Sequence, residues 1–222
     1  MKLKISIIGL VVGLLAPQVV QSQGTLYLSN LSDPSSGSAA VGDNSWLAVG
    51  FNTGNNIGGY AVDSVQLAMT DATGSPSDFT VMLYSESPNH PPLVPGSSLG
   101  IFNGSDNPST AGLYTYTSAA NLVLLPSTFY FIVLTAGTAV ANGAYGWSES
   151  ASSPVSNADW GGGFVPDSSD GLHWLSDLDA YTQFAINATA VPEPSIWTLL
   201  IAGSGLLIFF RRPAKWHRRF SK

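Results

Sequence analysis

Short apolar runs alternate with small and polar residues through the middle of the chain, and longer apolar runs lie near both ends. Between residues 24 and 190 no stretch has the period of an amphipathic helix, and glycine, proline, asparagine and serine interrupt the apolar runs. This pattern predicts an all-β domain. Its strands are expected at residues 25–28, 46–51, 60–70, 79–85, 113–117, 121–125, 128–135 and 181–189.

The clearest alternation lies in the third of these runs, where a break in the period near Asp63 and Ser64 predicts a β-bulge. Its buried face is predicted to comprise Val62, Val65, Leu67 and Met69. Because no helices are expected to make crossover connections, the strands must pair antiparallel. This favours a β-sandwich or jelly-roll domain over residues 23–190.

The first long apolar run is typical of a secretory signal peptide at residues 1–22. Lys2 and Lys4 form its basic start, residues 5–16 form an apolar run too short to span a membrane comfortably, and residues 20–22 suit cleavage. Cleavage after Ala16 is an alternative, and so is an uncleaved anchor. The sequence therefore predicts an exported protein.

The second long apolar run, residues 195–210, predicts a transmembrane helix. As a helix it would cover about 24 Å, which is short but workable for a thin or locally adapted bilayer. The tail at residues 211–222 is basic and is expected to stay cytoplasmic. Its stop-transfer residues are Arg211, Arg212, Lys215, Arg218 and Arg219. The domain before the helix should then lie on the periplasmic side of the inner membrane.

The tetrapeptide Val191-Pro192-Glu193-Pro194 stands directly before this helix. Its two prolines fix φ and withhold backbone donors, which predicts an extended, exposed strip that an enzyme can bind in a cleft. Taken alone, the strip can also be a stiff linker. The order of the Pro-Glu-Pro motif at residues 192–194, a short apolar helix and an arginine cluster closely resembles the PEP-CTERM sorting signal of exported bacterial proteins.

That resemblance implies several partners and locations. An exosortase is expected to recognise the motif, remove the helix and the tail, and pass the domain to the cell surface or extracellular matrix. Proteins with this signal occur in bacteria that make extracellular polysaccharide, so exopolysaccharide and a role in biofilm are implied as well.

The domain carries a second, more diffuse resemblance. It lies in residues 60–69, the Phe79–Ser85 run, residues 124–134 and Trp147-Ser148 followed by a Gly/Asp-rich segment. These segments resemble a choice-of-anchor domain, with type R the best match. That family implies no known reaction.

Charge is distributed unevenly along the chain. All eight basic residues lie at the two ends, whereas all fourteen acidic residues lie between Ile5 and Phe210. The domain therefore has no Lys or Arg to pair with its carboxylates, and its field is negative. Nucleic acid and anionic lipid headgroups are poor partners for it. Because the chain lacks cysteine, disulfides and thiolate chemistry are excluded.

Carboxylates crowd the segment between Trp147 and Tyr181, which is expected to be a long loop. Hard oxygen ligands on a loop suit Ca²⁺, although the spacing is not that of an EF-hand, and solvated turn residues are the alternative. The candidate ligands are Asp167, Asp170, Asp177 and Asp179. His173 in the same segment is a candidate base or ligand without a partner identifiable from sequence.

Aromatic residues border the same segment and leave two interpretations open, core packing or an exposed platform for neutral sugars. They are Tyr145, Trp147, Trp160, Phe164, Trp174 and Tyr181.

The run Gly96-Ser97-Ser98-Leu99-Gly100 matches the nucleophile-elbow pattern, but its flanks lack the following helix and predict a surface loop. The sequence thus favours a non-enzymatic envelope or matrix protein with a structural or adhesive domain and no required cofactor. A secreted carbohydrate-active enzyme and a Ca²⁺-dependent glycan-binding module are the alternatives.

Overall fold

The computed structural model describes residues 24–193 except residues 90, 92, 105–106, 119–121 and 178–180. Across these residues the chain forms β-strands and one 3-10 turn at Val140–Asn142. The strands are β1 (Thr25–Ser29), β2 (Ser35–Val41), β3 (Trp46–Asn52), β4 (Tyr60–Gly74), β5 (Thr80–Glu86), β6 (Pro95–Asn103), β7 (Gly112–Ser118), β8 (Val123–Leu124), β9 (Phe129–Thr135), β10 (Gly143–Ser150), β11 (Val155–Ser156), β12 (Gly161–Gly162), β13 (Val165–Ser168), β14 (Trp174–Asp177), β15 (Tyr181–Thr182) and β16 (Phe184–Ala190). The prediction of an all-β domain is confirmed.

All of these strands join in one antiparallel sheet. Its main path runs β11-β1-β16-β4-β7-β6-β5-β9-β3-β13-β14, and β10 joins β4 to β2 and β15. The sheet curls so that the β1–β16–β4 part and the β5–β9–β3 part contribute side chains to the same apolar core. Strand β4 lies at the centre because it pairs with β16 along one edge and with β7 along the other.

The alternation in β4 holds as predicted. Val62, Val65, Leu67 and Met69 are all buried in the main core. The predicted bulge is present as well, because Ala188 of β16 pairs with Val62 and the adjacent Asn187 pairs with Ser64. Asp63 is the extra residue, which leaves the inward face of β4 in register on both sides of the break.

Strand β9 is buried on both of its faces. Ile132 and Leu134 point into the main core, whereas Phe131 and Val133 belong to a second, smaller cluster on the outer face of the sheet. The segment between β10 and β15, predicted to be a long loop, instead contains β11 to β14 and covers that outer face. The prediction of a surface loop at residues 96–100 is also wrong, since these residues lie within β6.

The chain enters and leaves the described domain at the same end. Thr25 at the start of β1 pairs with Ala188 of β16, and Ala190 at the end of β16 pairs with Tyr60 at the start of β4. The loop at residues 53–59 and the segment at residues 122–128, which includes β8, lie at this end beside the start of β4. We call residues 53–59, 122–128 and 191–193 the exit pole.

Candidate functional site

Val191, the first residue of the predicted sorting strip, is still held by the domain. Its backbone N–H donates to the Gly59 carbonyl over 3.0 Å, and the Asn56 side-chain amide donates to the Val191 carbonyl over 3.0 Å. Asn56 also donates to the Gly59 carbonyl at 2.5 Å. One asparagine therefore joins the end of β16 to the loop between β3 and β4.

That loop needs glycine at two adjacent positions. A Cβ on Gly58 would overlap the Val191 carbonyl oxygen, so only glycine allows this approach of two backbones. Gly59 has φ of 78°, in the left-handed region that favours glycine. The turn is closed by a hydrogen bond of 2.8 Å from the Gly59 N–H to the Asn56 carbonyl. The run Asn56-Ile57-Gly58-Gly59 thus provides a fitted seat for Val191.

Pro192 and Glu193 follow this seat, and both side chains are exposed. They have no regular secondary structure, so their backbone is not committed to the sheet. Pro194, the predicted helix at residues 195–210, the basic residues Arg211 to Arg219 and the predicted signal peptide at residues 1–22 lie outside the described residues. Their roles stay predictions.

No helix in residues 24–193, as far as the structure describes them, has the length and apolarity that a membrane crossing requires.

The structure describes the backbone positions of three of the four candidate calcium ligands. Asp167 lies on β13 opposite Leu175, and Asp177 lies on β14 opposite Val165. Asp170 lies in the loop between these two strands, and Asp179 is outside the described residues. Within the described part of the chain, no three His, Cys, Asp or Glu side chains come close enough to hold a metal ion. A calcium site therefore stays a prediction.

Asp170 has a partner that sequence reasoning did not identify. One carboxylate oxygen accepts from the His173 ring nitrogen Nδ1 at 2.7 Å, and the other accepts from the backbone N–H groups of Leu172 and His173, each at 2.8 Å. The His173 side-chain bond, with these backbone bonds, holds the pKa of Asp170 well below its ordinary value. Both side chains are exposed, so the pair stabilises the turn of the β13–β14 hairpin and does not line a cleft.

Three of the six aromatic residues considered for a sugar platform are core residues. Tyr145, Trp147 and Trp160 are buried, which contradicts an exposed role for them. Trp160 stacks on Tyr27 with ring centroids 4.8 Å apart. The remaining three are half-buried; they are Phe164, Trp174 and Tyr181.

A shallow groove of about 710 Å³ lies beside β1 and β11. Its lining includes Leu26, Tyr27, Gln66, Val155 and Asn157, and no described residue that lines it is charged. Gln66 is opposite Ala185 on the face of the sheet that points away from the main core. Burial raises the pKa of Tyr27, with Tyr60 and Asp63 adding to the effect, so its hydroxyl is neutral at physiological pH.

This groove was missed by sequence reasoning because its residues come from four separate segments. None of them forms a motif. The polar side chains of the groove besides Tyr27 are those of Ser29, Ser32, Gln66, Ser156 and Asn157. Amide, hydroxyl and apolar groups together suit an uncharged polar ligand.

Comparison with protein-family models, with characterised proteins and with solved structures finds no match for this chain.

Proposed function

We propose that this chain is an exported envelope protein that residues 195–210 hold in the inner membrane until an exosortase cleaves the sorting strip. The domain then passes to the cell surface or extracellular matrix, where it has a structural or adhesive role in biofilm. The observation that carries this proposal is the position of Pro192 and Glu193. Both side chains are exposed just beyond the end of β16. They follow directly after Val191, which Asn56 still binds.

This arrangement suits a processing enzyme for a physical reason. A protease binds its substrate as an extended backbone, and a strip that is free of the sheet can enter a cleft without unfolding the domain. The rigid φ angles of the two prolines keep the strip extended, and Glu193 supplies a charged group for recognition. The seat at Val191 limits the mobility of the strip relative to the exit pole.

We further propose that the curled sheet is a β-sandwich of jelly-roll type with no catalytic role. The uncharged groove beside β1 favours contact with a neutral exopolysaccharide, because it combines apolar, hydroxyl and amide groups. Since the groove contains no carboxylate or imidazole among the described residues, it suits binding better than acid–base chemistry. The acidic surface elsewhere favours neutral over anionic polymers.

The sorting proposal is tested by replacing Pro192, Glu193 and Pro194 with alanine. This change removes the fixed φ angles and the carboxylate but leaves residues 195–210 intact. Immunoblots in a host with an exosortase should show the shorter surface form for the wild type, and full-length protein retained in the inner membrane for the variant. A host without the enzyme should retain both.

A matched control replaces Asp33 and Pro34 with alanine, which removes one carboxylate and one proline from a turn outside the exit pole. Its processing should equal that of the wild type. If the wild type keeps the size of residues 23–222 in the host with an exosortase, the sorting proposal is wrong and residues 195–210 are a plain anchor.

The adhesive proposal is tested separately by sedimentation of the shed domain with neutral exopolysaccharide. Replacing Gln66 and Asn157 with alanine should weaken co-sedimentation. Replacing the exposed Asn89 with alanine, in the loop between β5 and β6 and outside the groove lining, should change it little. Equal binding by all three proteins would rule out the groove as the contact.

A further inference from the structure

Three large apolar side chains at the exit pole are exposed to solvent. Ile57 is 76% exposed, Leu125 is 63% exposed and Val123 is 52% exposed. These side chains come from two neighbouring segments, of which residues 53–59 contact the point where the chain leaves the domain. Gly58 lies against Val191, and a Cβ on Gly59 would be 3.3 Å from the Val123 side chain.

The two segments also contain no charged side chain. Residues 53–59 and 122–128 contain no Asp, Glu, Lys or Arg, although the domain as a whole is acidic. Their backbone is well satisfied, since the Thr53 hydroxyl donates to the Leu125 carbonyl and the Leu125 N–H donates to the Tyr130 hydroxyl at 2.9 Å. An uncharged surface with apolar tips is suited to the headgroup region of a neutral bilayer.

The strip is short, so it keeps this surface close to the membrane. Three residues lie between Val191 and Ser195, where the predicted helix begins, so these two residues are at most about 14 Å apart when the strip is fully extended. One headgroup layer is roughly 5–8 Å thick. The predicted helix covers only about 24 Å, less than the roughly 30 Å hydrocarbon core, so its ends are drawn inward. The exit pole therefore cannot stand far above the lipid.

We propose that, before processing, the exit pole rests on the neutral lipid surface of the inner membrane and inserts Ile57, Val123 and Leu125 among the headgroups. This inference rests on the proposed anchor at residues 195–210. Contact at the pole fixes the orientation of the domain and confines Pro192 and Glu193 to the plane of the membrane surface. A membrane-embedded protease then meets the strip at a constant depth.

The absence of cysteine from the chain makes the test direct. Full-length Ile57→Cys and Leu125→Cys variants are labelled with a polarity-sensitive fluorophore and reconstituted in phosphatidylcholine vesicles that contain no other protein. Both labels should show a blue-shifted emission, and lipid carrying a nitroxide on its headgroup should reduce that emission. Both positions are exposed, so the substitutions leave the core unchanged.

Leu172→Cys is the matched control. Leu172 is 80% exposed and follows Ser168, which pairs with Trp46 at the end of β3 away from the exit pole. Its label should keep the emission that it has in water and should not respond to the nitroxide lipid. Equal responses at positions 57, 125 and 172 would show non-specific adsorption and overturn the inference.

Vesicle flotation separates this inference from the proposed anchor. If the chain floats with the vesicles but the labels at positions 57 and 125 stay in water, the inference fails and the anchor stands. If the chain does not float, both fail. If the labels change only when an exosortase is present in the vesicles, the pole contacts the enzyme instead of lipid, and the inference is wrong.

Discussion

The two faces of the β5–β9–β3 part of the sheet are both apolar, but they are covered in different ways. The inner face, with Val49, Leu83 and Ile132, packs against regular strands of the same sheet. The outer face, with Phe131 and Val133, is covered by half-buried aromatic side chains, including those of Phe164 and Trp174. One face is closed by regular strands, and the other by an irregular segment rich in glycine, proline and aspartate.

This difference shows what an uninterrupted apolar run in a strand requires. Residues 131–134 are apolar at every position, whereas a strand with one solvated face alternates. Both faces of β9 must therefore be covered, although only the inner cover has a recognisable pattern. On the outer face, the ring of Phe164 lies edge-on to Phe131 with centroids 5.6 Å apart.

The largest expected effect on the free energy of unfolding is at Phe51 on the inner face, in comparison with Phe164 on the outer face. Phe51 is fully buried in the main core, whereas Phe164 is half-buried in the outer cover. Phe51→Ala should lower the free energy of unfolding by about 3–5 kcal/mol because it leaves a cavity. Phe164→Ala should cost roughly 1–3 kcal/mol because solvent can fill the gap. Urea unfolding of residues 23–190 measures both; equal losses would mean that the outer cover is as integral as the core.

A smaller effect is expected at Gly50, on the outer face of β3. A Cβ there would overlap the Phe164 ring, and the Gly50 N–H donates to the Phe164 carbonyl at 3.0 Å. Gly50→Ala should therefore displace the ring and lower the free energy of unfolding by about 1–3 kcal/mol. In a Phe164→Ala background the same change should cost little. A double-mutant cycle by thermal unfolding tests this coupling, and additive losses would show that the ring is not the obstacle.

Much of the inner face could be predicted from sequence because alternation reports burial directly. The positions of β4, β5 and β9 follow from it, and so does the bulge at Asp63. Strand β6 was missed because Pro95, Gly96 and Gly100 are typical of a loop. However, proline is tolerated at the first residue of a strand, where β6 has it. The outer cover was missed because β11 to β14 are two to four residues long.

The candidate site was predictable to a similar degree. The strip at residues 191–194 could be located from its two prolines and the apolar run that follows. The hydrogen bonds that hold Val191 could not be predicted, because Asn56 is distant from it in sequence. An asparagine near two glycines indicates only a turn. The uninterrupted apolar run of β9 indicates that its outer face is covered, but it does not indicate which segment covers that face.

The smallest effect concerns the loop of the β13–β14 hairpin. The pKa of Asp170 is lowered in the folded state, so the stability that its carboxylate provides is present above its ordinary pKa of about 4 and is lost as pH falls below that value. The protection factors of the Leu172 and His173 amides, which compare their exchange with that of an unstructured peptide at the same pH, should fall as pH is lowered below about 4, while the amides of β9 stay protected. Asp170→Asn should show fast exchange already at pH 6, and unchanged exchange would contradict the role of the carboxylate.

The placement of β16 also determines how the domain responds to force. This strand is hydrogen-bonded to β1 on one side and to β4 on the other. A pull on Val191 along the strand axis loads both rows of hydrogen bonds together, in shear, whereas a strand at a sheet edge can be peeled away one bond at a time. The described domain can therefore stay folded while a force acts on Val191 along the strand axis.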